Sequence, residues 1–131
     1  MSGYVTFQLG SQELACPLHD VREVVRLNRM HTLPGLNAGV SGLLELRGSP
    51  LPVVDVRTDA QSRGDVLVLQ AETLGVVVDR VTGVITDDVL VPASVRPERL
   101  PGYVRDVLVD VTRGEPVLLV DLHALAAVSA G

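Results

Sequence analysis

Residues 42–57 read GLLELRGSPLPVVDVR, and this stretch constrains the fold more than any other because it spells out two strands and one turn. Leu43, Leu44 and Leu46 lead into Arg47-Gly48, where glycine tolerates the positive φ that a tight turn demands. Pro50-Leu51-Pro52-Val53-Val54 then runs to Asp55. Proline has no amide donor to give a ladder, so the second strand is expected to start at an edge or to pair fully only from Val53 onward. The pattern returns 66 residues later, where Arg113-Gly114-Glu115-Pro116 followed by apolar residues to Asp121 matches Arg47-Gly48-Ser49-Pro50 to Asp55 without a gap. Two explanations stand open. One is duplication of a strand-turn-strand unit, favouring two similar lobes over one large sheet, and the other is chance in a chain rich in Val, Leu, Arg and Gly.

The 131 residues suit one compact unit or two very small lobes sharing a core, and a chain of this size buries about two-thirds of its unfolded surface. Valine and leucine carry the apolar fraction, the aromatics being Tyr4, Phe7 and Tyr103, and valine on this scale argues for strands. Net charge is −5, and the eleven basic residues are all arginines, scattered singly apart from Arg22, Arg26 and Arg29. That distribution argues against a nucleic-acid face. Without lysine there is neither a phosphate-cradling P-loop lysine nor Schiff-base chemistry. Cys16 has no partner for an intramolecular disulfide and the N-terminus lacks a secretory pattern, so the expected compartment is the cytoplasm. Apolar runs such as 66–69 and 75–78 are far shorter than the roughly 20 residues of a membrane span, so no direct membrane insertion is expected.

Along the chain, residues 4–9 alternate, with Val5, Phe7 and Leu9 on one face and Tyr4, Thr6 and Gln8 on the other. A turn at Gly10-Ser11-Gln12 leads to Leu14, Cys16 and Leu18, giving a hairpin in which Cys16 is a small buried filler. From His19 the period changes. Val21, Val24 and Val25 recur at helical spacing and Asp20 can cap, which points to a short helix or an extended corner. Residues 32–39 read as loop, and the polar residues 59–65 as the boundary between halves. Residues 66–70 and 74–79 form a second hairpin, 81–85 a third strand, and 92–101 a proline-punctuated crossing. Residues 104–111 pair with 117–122, and Leu122, Leu125, Ala126 and Val128 allow a short closing helix. About ten closely spaced strands indicate small antiparallel barrels.

Chemical motifs are sparse. His19, His31 and His123 have no metal-site spacing, nucleotide-binding glycine motifs are absent, and Ser41 lacks nucleophile-elbow spacing, so no catalytic, metal or cofactor site is expected. Asp55, Asp79 and Asp121 each follow an apolar run, which raises a paired-carboxylate hydrolase as an alternative. That reading needs two of them within hydrogen-bonding reach. Their continuations, Asp55-Val56-Arg57, Asp79-Arg80-Val81 and Asp121-Leu122-His123, instead suit strand-ending carboxylates bonded to amides or arginines.

Phe7-Gln8-Leu9-Gly10, Val21-Arg22-Glu23-Val24, the run from Gly42 through Leu46-Arg47-Gly48 to Pro52-Val53-Val54-Asp55-Val56-Arg57, and Gly75-Val76-Val77-Val78-Asp79-Arg80-Val81 together resemble the CheW-like chemotaxis coupling family. The related regulatory domain of the CheA kinase shares the pattern, and the resemblance covers nearly the whole chain. It implies an all-β fold, two SH3-like five-stranded β-barrel subdomains packed side by side with short helices, in one domain over 1–131. One subdomain is approximated by 1–57 plus the C-terminal segment and the other by 65–111. It also implies a non-catalytic, cytoplasmic adaptor linking the cytoplasmic tip of chemoreceptors to a CheA-type histidine kinase regulatory domain, recruited to membrane receptor arrays.

A receptor's helical tip would lie in an apolar groove between the barrels, and the kinase domain would pack barrel against barrel. By position, Val21, Glu23 and Val24 would sit near the receptor groove, Arg47 would orient the coupling surface, and Glu45 and Gly48 would flank it. Whether Val21 and Val24 are core or surface is open. So is whether Arg47 pairs with Asp55 or Glu45 across its own hairpin or is held elsewhere. The chain departs from the family pattern at Glu45, where asparagine is common, in a longer 34–42 loop, in a shorter 55–66 connection, and in a tail that stops soon after the closing helix. A CheW-like module of a non-motility pathway is the alternative within the binding class.

Overall fold

Among residues 2–32 and 40–129, which the computed structural model describes, the chain forms twelve strands and one helix. One sheet contains β1 (Gly3–Leu9), β2 (Gln12–Pro17), β9 (Arg80–Thr86), β10 (Leu90–Pro92), β11 (Val104–Asp110) and β12 (Glu115–Val120), in the order β10-β11-β12-β2-β1-β9. The other contains β3 (Val21–Arg26), β4 (Met30–His31), β5 (Gly42–Leu46), β6 (Ser49–Asp55), β7 (Asp65–Leu69) and β8 (Gly75–Val78), in the order β3-β7-β8-β6-β5-β4. Helix α1 (Leu122–Ser129) closes the described chain.

Connection lengths force both sheets to curl. The outermost strands of a flat six-stranded sheet lie about 24 Å apart. Yet β3 and β4, the two edges of one sheet, are joined by Leu27-Asn28-Arg29, and β9 and β10, the edges of the other, by Asp87-Asp88-Val89. The four extended steps from Arg26 to Met30 reach no more than about 14 Å, so the edges must approach and each sheet becomes a small barrel.

The two barrels share one topology. Advancing every strand of the second sheet by six places, and counting on from β12 to β1, reproduces the first. Hairpin β5–β6 thus corresponds to β11–β12, and β6 runs parallel to β8 as β12 does to β2. The repeated Arg-Gly segments occupy corresponding places, with Gly48 at φ +82° and Gly114 at φ +69°.

Among the described residues each barrel has six strands rather than the five expected, the additions being the short edge strands β4 and β10. The lobe boundaries also fall elsewhere than at 1–57 and 65–111. Residues 21–78 build one barrel, and residues 80–120 join 3–17 in the other. Residues 59–65 therefore lie inside a barrel, and the chain crosses between barrels at a 3₁₀ turn, Leu18–Asp20, and at Asp79. Turn-forming residues mark where a strand ends but not which sheet the next one joins.

The largest core lies between the barrels. Val5, Phe7, Leu14 and Cys16 meet Leu67, Leu69, Val76 and Val78 there, and α1 closes it with Leu122, Leu125 and Ala126. Alternate residues of the same strands, Val66, Val68 and Val77, turn into the second barrel's own interior, so β7 and β8 are buried on both faces and read as unbroken apolar runs. Gly75 sits at this crowding, where an added Cβ would meet Val66 Cγ1 at 2.7 Å.

Two local expectations are corrected. Thr6 is buried rather than outward-facing, and its hydroxyl donates to the Gly83 carbonyl at 3.2 Å. Of the short helix or extended corner left open for residues 21–26, the helix is the one set aside, since they form a strand. Their valine spacing suits either period, and the ladder to β7, with its register shift between Val21 and Glu23, decides the outcome. The prolines of β6 behave as the ladder requires. Leu46 pairs with Ser49, so by alternation Pro50 and Pro52 turn their nitrogens away from β5, and β8 joins that side only from Val53. Residues 33–39 of the expected loop at 32–39, and with them most of the lengthened 34–42 connection, lie outside the described residues.

Candidate functional site

The β5–β6 hairpin closes with Arg47 at φ +49° and Gly48 at φ +82°, the signature of a two-residue turn with both central residues left-handed. Arg47 is the one non-glycine residue in that region among those described. Such a conformation costs a side-chain-bearing residue about 1–2 kcal/mol. What the arginine gains is a contact across the barrel. Its Nη2 donates to Glu23 Oε1 at 2.6 Å and Oε2 at 2.8 Å, joining the hairpin tip to edge strand β3. Arg47 therefore pairs with neither Asp55 nor Glu45. Its side chain is 65% exposed against 25% for Glu23, so the pair contributes at most about 1 kcal/mol to stability. Its effect is to hold the turn against β3.

The residues singled out in sequence distribute unevenly around this contact. Val24 is 41% exposed, whereas Val21 packs against the inter-barrel core. One is surface and the other mostly core. Glu45 is exposed on β5 opposite Pro50, and Gly48 is exposed with open space around it, so glycine is required there by φ and not by crowding. A depression of about 240 Å³ adjoins the turn, lined in part by Arg22, Leu46, Arg47, Pro50 and Leu69.

Between the barrels lies the packed core that α1 closes. A depression of about 430 Å³ opens above that seam, its walls combining His19, Asp20, Glu72, Arg105, Asp121 and His123 with Leu69, Ala71 and Leu122. His123 Nδ1 lies 2.5 Å from Glu72 Oε1, and that carboxylate raises the imidazole pKa above its usual value. The Arg105 guanidinium bonds Asp121 and holds its carboxyl below the usual value, while Asp121 Oδ1 also accepts from the Ala124 amide at the start of α1.

Asp79, expected as a strand-ending carboxylate bonded to amides or arginines, organises the second crossing. Its carboxylate accepts from the Gly10 amide (2.7 Å), Thr58 Oγ1 (2.7 Å), Ser62 Oγ (2.9 Å) and the Asp59 amide (3.4 Å), tying the β1–β2 turn to the 58–62 loop. Partial burial works to raise its pKa, but these bonds outweigh it and leave the carboxyl below the usual range. The available signal was the Thr, Asp and Ser content of 58–62, residues that bond locally in turns.

Asp55 takes a two-pronged bond from Arg57, Nε to Oδ1 at 3.0 Å and Nη2 to Oδ2 at 2.7 Å. Each of the three aspartates thus ends a strand against its own amides or arginine. Two carboxylates sharing a proton require one raised pKa, the reverse of what Asp79 and Asp121 show. Burial, with Asp20 adding to it, pushes the Cys16 thiol up to about 12, which suits a filler and not a nucleophile. Among the described residues no three His, Cys, Asp or Glu side chains are grouped to hold a metal.

Comparison with known proteins agrees with this architecture. The chain is 28% identical over a 138-residue alignment to the chemotaxis protein CheW of Treponema pallidum, covering 92% of this chain and 79% of that protein. It is 26% identical over 133 residues to a probable chemotaxis protein CheW of Rhizobium etli, covering 92% and 84%. The crystal structure of the scaffolding protein TtCheW from Thermoanaerobacter tengcongensis superposes with a TM-score of 0.72 at 21% identity, over 95% of this chain and 86% of that one. The family model for the CheW-like domain matches residues 3–129, so the chain belongs to the CheW-like domain family.

Proposed function

We propose that this protein is a non-catalytic adaptor that couples the cytoplasmic tip of chemoreceptors to the regulatory domain of a CheA-type histidine kinase. The observation that carries the reading is the Arg47–Glu23 contact. It holds a strained two-residue turn against β3 and so gives Val24, Glu45, Arg47 and Gly48 a fixed relation on one barrel. Val21 supports this surface from beneath, being packed on the inter-barrel core. An adaptor needs this kind of rigidity, because partner-binding surfaces pre-set in position spare the cost of ordering them on contact. No helix among the described residues is long and apolar enough to cross a membrane, and we place the protein in the cytoplasm, brought to receptor arrays by its partners.

The test is titration calorimetry of wild-type, Arg47→Ala and Arg47→Lys proteins against the cognate kinase regulatory domain and the receptor tip. Both variants stay folded and lose about 1–3 kcal/mol of affinity for at least one partner, because lysine's single ammonium cannot reproduce the planar guanidinium. Wild-type affinity of the alanine variant for both partners would remove Arg47 from the coupling surface.

A further inference from the structure

The two barrels share a topology but differ in what fills them. Leu44, Leu51, Val53, Val66, Val68 and Val77 pack the interior of the barrel formed by residues 21–78, whereas the interior cluster of the other is Ala15, Leu90, Leu108 and Val117. The mouth of that second interior is a depression of about 410 Å³, its apolar walls being Ile85, Leu90 and Val117 and its rim polar. Gly83 leaves the space open, since an added Cβ would meet nothing nearer than Thr6 Oγ1 at 3.9 Å. The rim carries two opposite charges that do not meet. Gln8 of β1 stands opposite Glu13 on β2 and opposite Arg80 on β9, so the three side chains form one row on one face. Among the described residues neither Glu13 nor Arg80 forms an ion pair, with the other or with any third group. Arg80 Nη2 donates only to Gln8 Oε1, at 3.2 Å. Thr82 Oγ1 lies 2.9 Å from Glu13 Oε1 and 2.8 Å from Thr6 Oγ1, and its hydroxyl has a single proton for the two. Thr82 reaches the row because the β1–β9 ladder shifts register there. Thr6 faces Gly83 and Phe7 faces Val81, which leaves Thr82 without a partner, and such bulges re-aim a side chain at the rim of a barrel. The remaining rim charges, Asp110 and Arg113, already pair, Nε to Oδ2 at 3.2 Å.

We propose that this barrel mouth binds a free aliphatic amino acid, with the carboxylate on Arg80, the ammonium on Glu13 and the side chain against Ile85. Neighbouring strands lie about 4.8 Å apart, which puts the Arg80 and Glu13 backbones about 10 Å from each other on either side of Gln8. A ligand whose own two charges sit close together fits between their side chains and meets each with a charge-assisted hydrogen bond. An anion alone would face an unneutralised Glu13, and a cation alone would face Arg80. Only a molecule carrying both signs satisfies the row. Ile85, Leu90 and Val117 offer a side chain no hydrogen-bonding group, which selects an aliphatic one. Apolar walls with a few convergent polar groups, in the mouth of a β-barrel, are a common setting for small-molecule binding. The site lies on the barrel that carries neither Arg47 nor Glu23, so its failure would leave the adaptor reading untouched, and the reverse.

The experiment titrates the full chain with L-leucine, with leucinamide, which lacks the carboxylate, and with isocaproate, which lacks the amine, following backbone amide shifts by NMR. Leucine saturates the protein with a Kd of about 1 mM or tighter, and each truncated probe binds at least about tenfold more weakly. R80Q weakens leucine binding by at least about tenfold and leaves leucinamide unchanged, whereas E13Q weakens leucine equally and leaves isocaproate unchanged. G83V, a change that strand propensity favours, fills the mouth and abolishes leucine binding while the thermal melt stays at or above the wild-type value. A weaker leucine Kd overturns the proposal. So does isocaproate or leucinamide binding as tightly as leucine, which would make the mouth a simple anion or cation site, and so does wild-type leucine affinity in R80Q, in E13Q or in a folded G83V. Should G83V melt early, R80Q and E13Q, whose native side chains make no ion pair, decide the matter alone.

Discussion

Arg47 is held in a backbone region that disfavours every residue with a Cβ, and the Glu23 contact is what its side chain gains there. The strain and the contact separate by substitution. Arg47→Gly removes both and Arg47→Ala only the contact, so in chemical denaturation the glycine variant is expected to be about 1 kcal/mol more stable than the alanine variant. Equal stability would mean that the turn is unstrained. Asp79 is the second residue with an outsized role, through its bonds from Gly10, Thr58, Ser62 and Asp59. Asp79→Asn should cost about 1–3 kcal/mol at neutral pH. Because its folded pKa lies below the unfolded value, this contribution is complete above about pH 4 and disappears as pH falls through the folded value. The denaturation midpoints of the wild type and the Asp79→Asn variant should therefore converge in acid. A gap that persists at about pH 2, below the ordinary carboxylate range, would place the cost elsewhere. His123, raised by Glu72, has the opposite sign, its contribution being present below about pH 6.5 and lost as pH rises through the folded value.

At the scale of elements, legibility followed from how locally each structure is determined. The β1–β2, β5–β6 and β7–β8 hairpins and the closing helix were readable because alternation, turn glycines and the Leu122, Leu125, Ala126 spacing are local signals. β3 was not, since Val21, Val24 and Val25 suit a helix or a strand and only the distant β7 settles the matter. Thr6 was misplaced for a related reason. Alternation separates two faces, but here both are buried, one in the inter-barrel core and one in the barrel itself. Phe7→Ala should cost about 3–5 kcal/mol, as large-to-small core changes do. Thr6→Ala, which strips the hydroxyl from the Gly83 carbonyl, should cost about 1–2 kcal/mol. Urea denaturation of both variants checks the pair, and a Phe7→Ala loss no larger than that of Thr6→Ala would mean the faces of β1 are assigned the wrong way round. The candidate site was legible in part, since Glu23, Val24, Arg47 and Gly48 could be named from sequence. The Glu23–Arg47 contact itself depends on barrel closure, which sequence spacing does not reveal.

Across the whole molecule, two barrels of one topology share a core larger than either has alone, so neither is expected to unfold independently. Scanning calorimetry should show one cooperative transition, and two resolved transitions would refute the shared core as the main source of stability. Such a body suits a part that joins others without changing shape. The most direct test of the adaptor claim is reconstitution of the cognate kinase and receptor fragments with and without this protein, reading receptor-dependent kinase autophosphorylation. The account predicts that receptor control appears only when the protein is added and is weakened by Arg47→Ala at equal protein concentration. Receptor control of equal strength in its absence would contradict it.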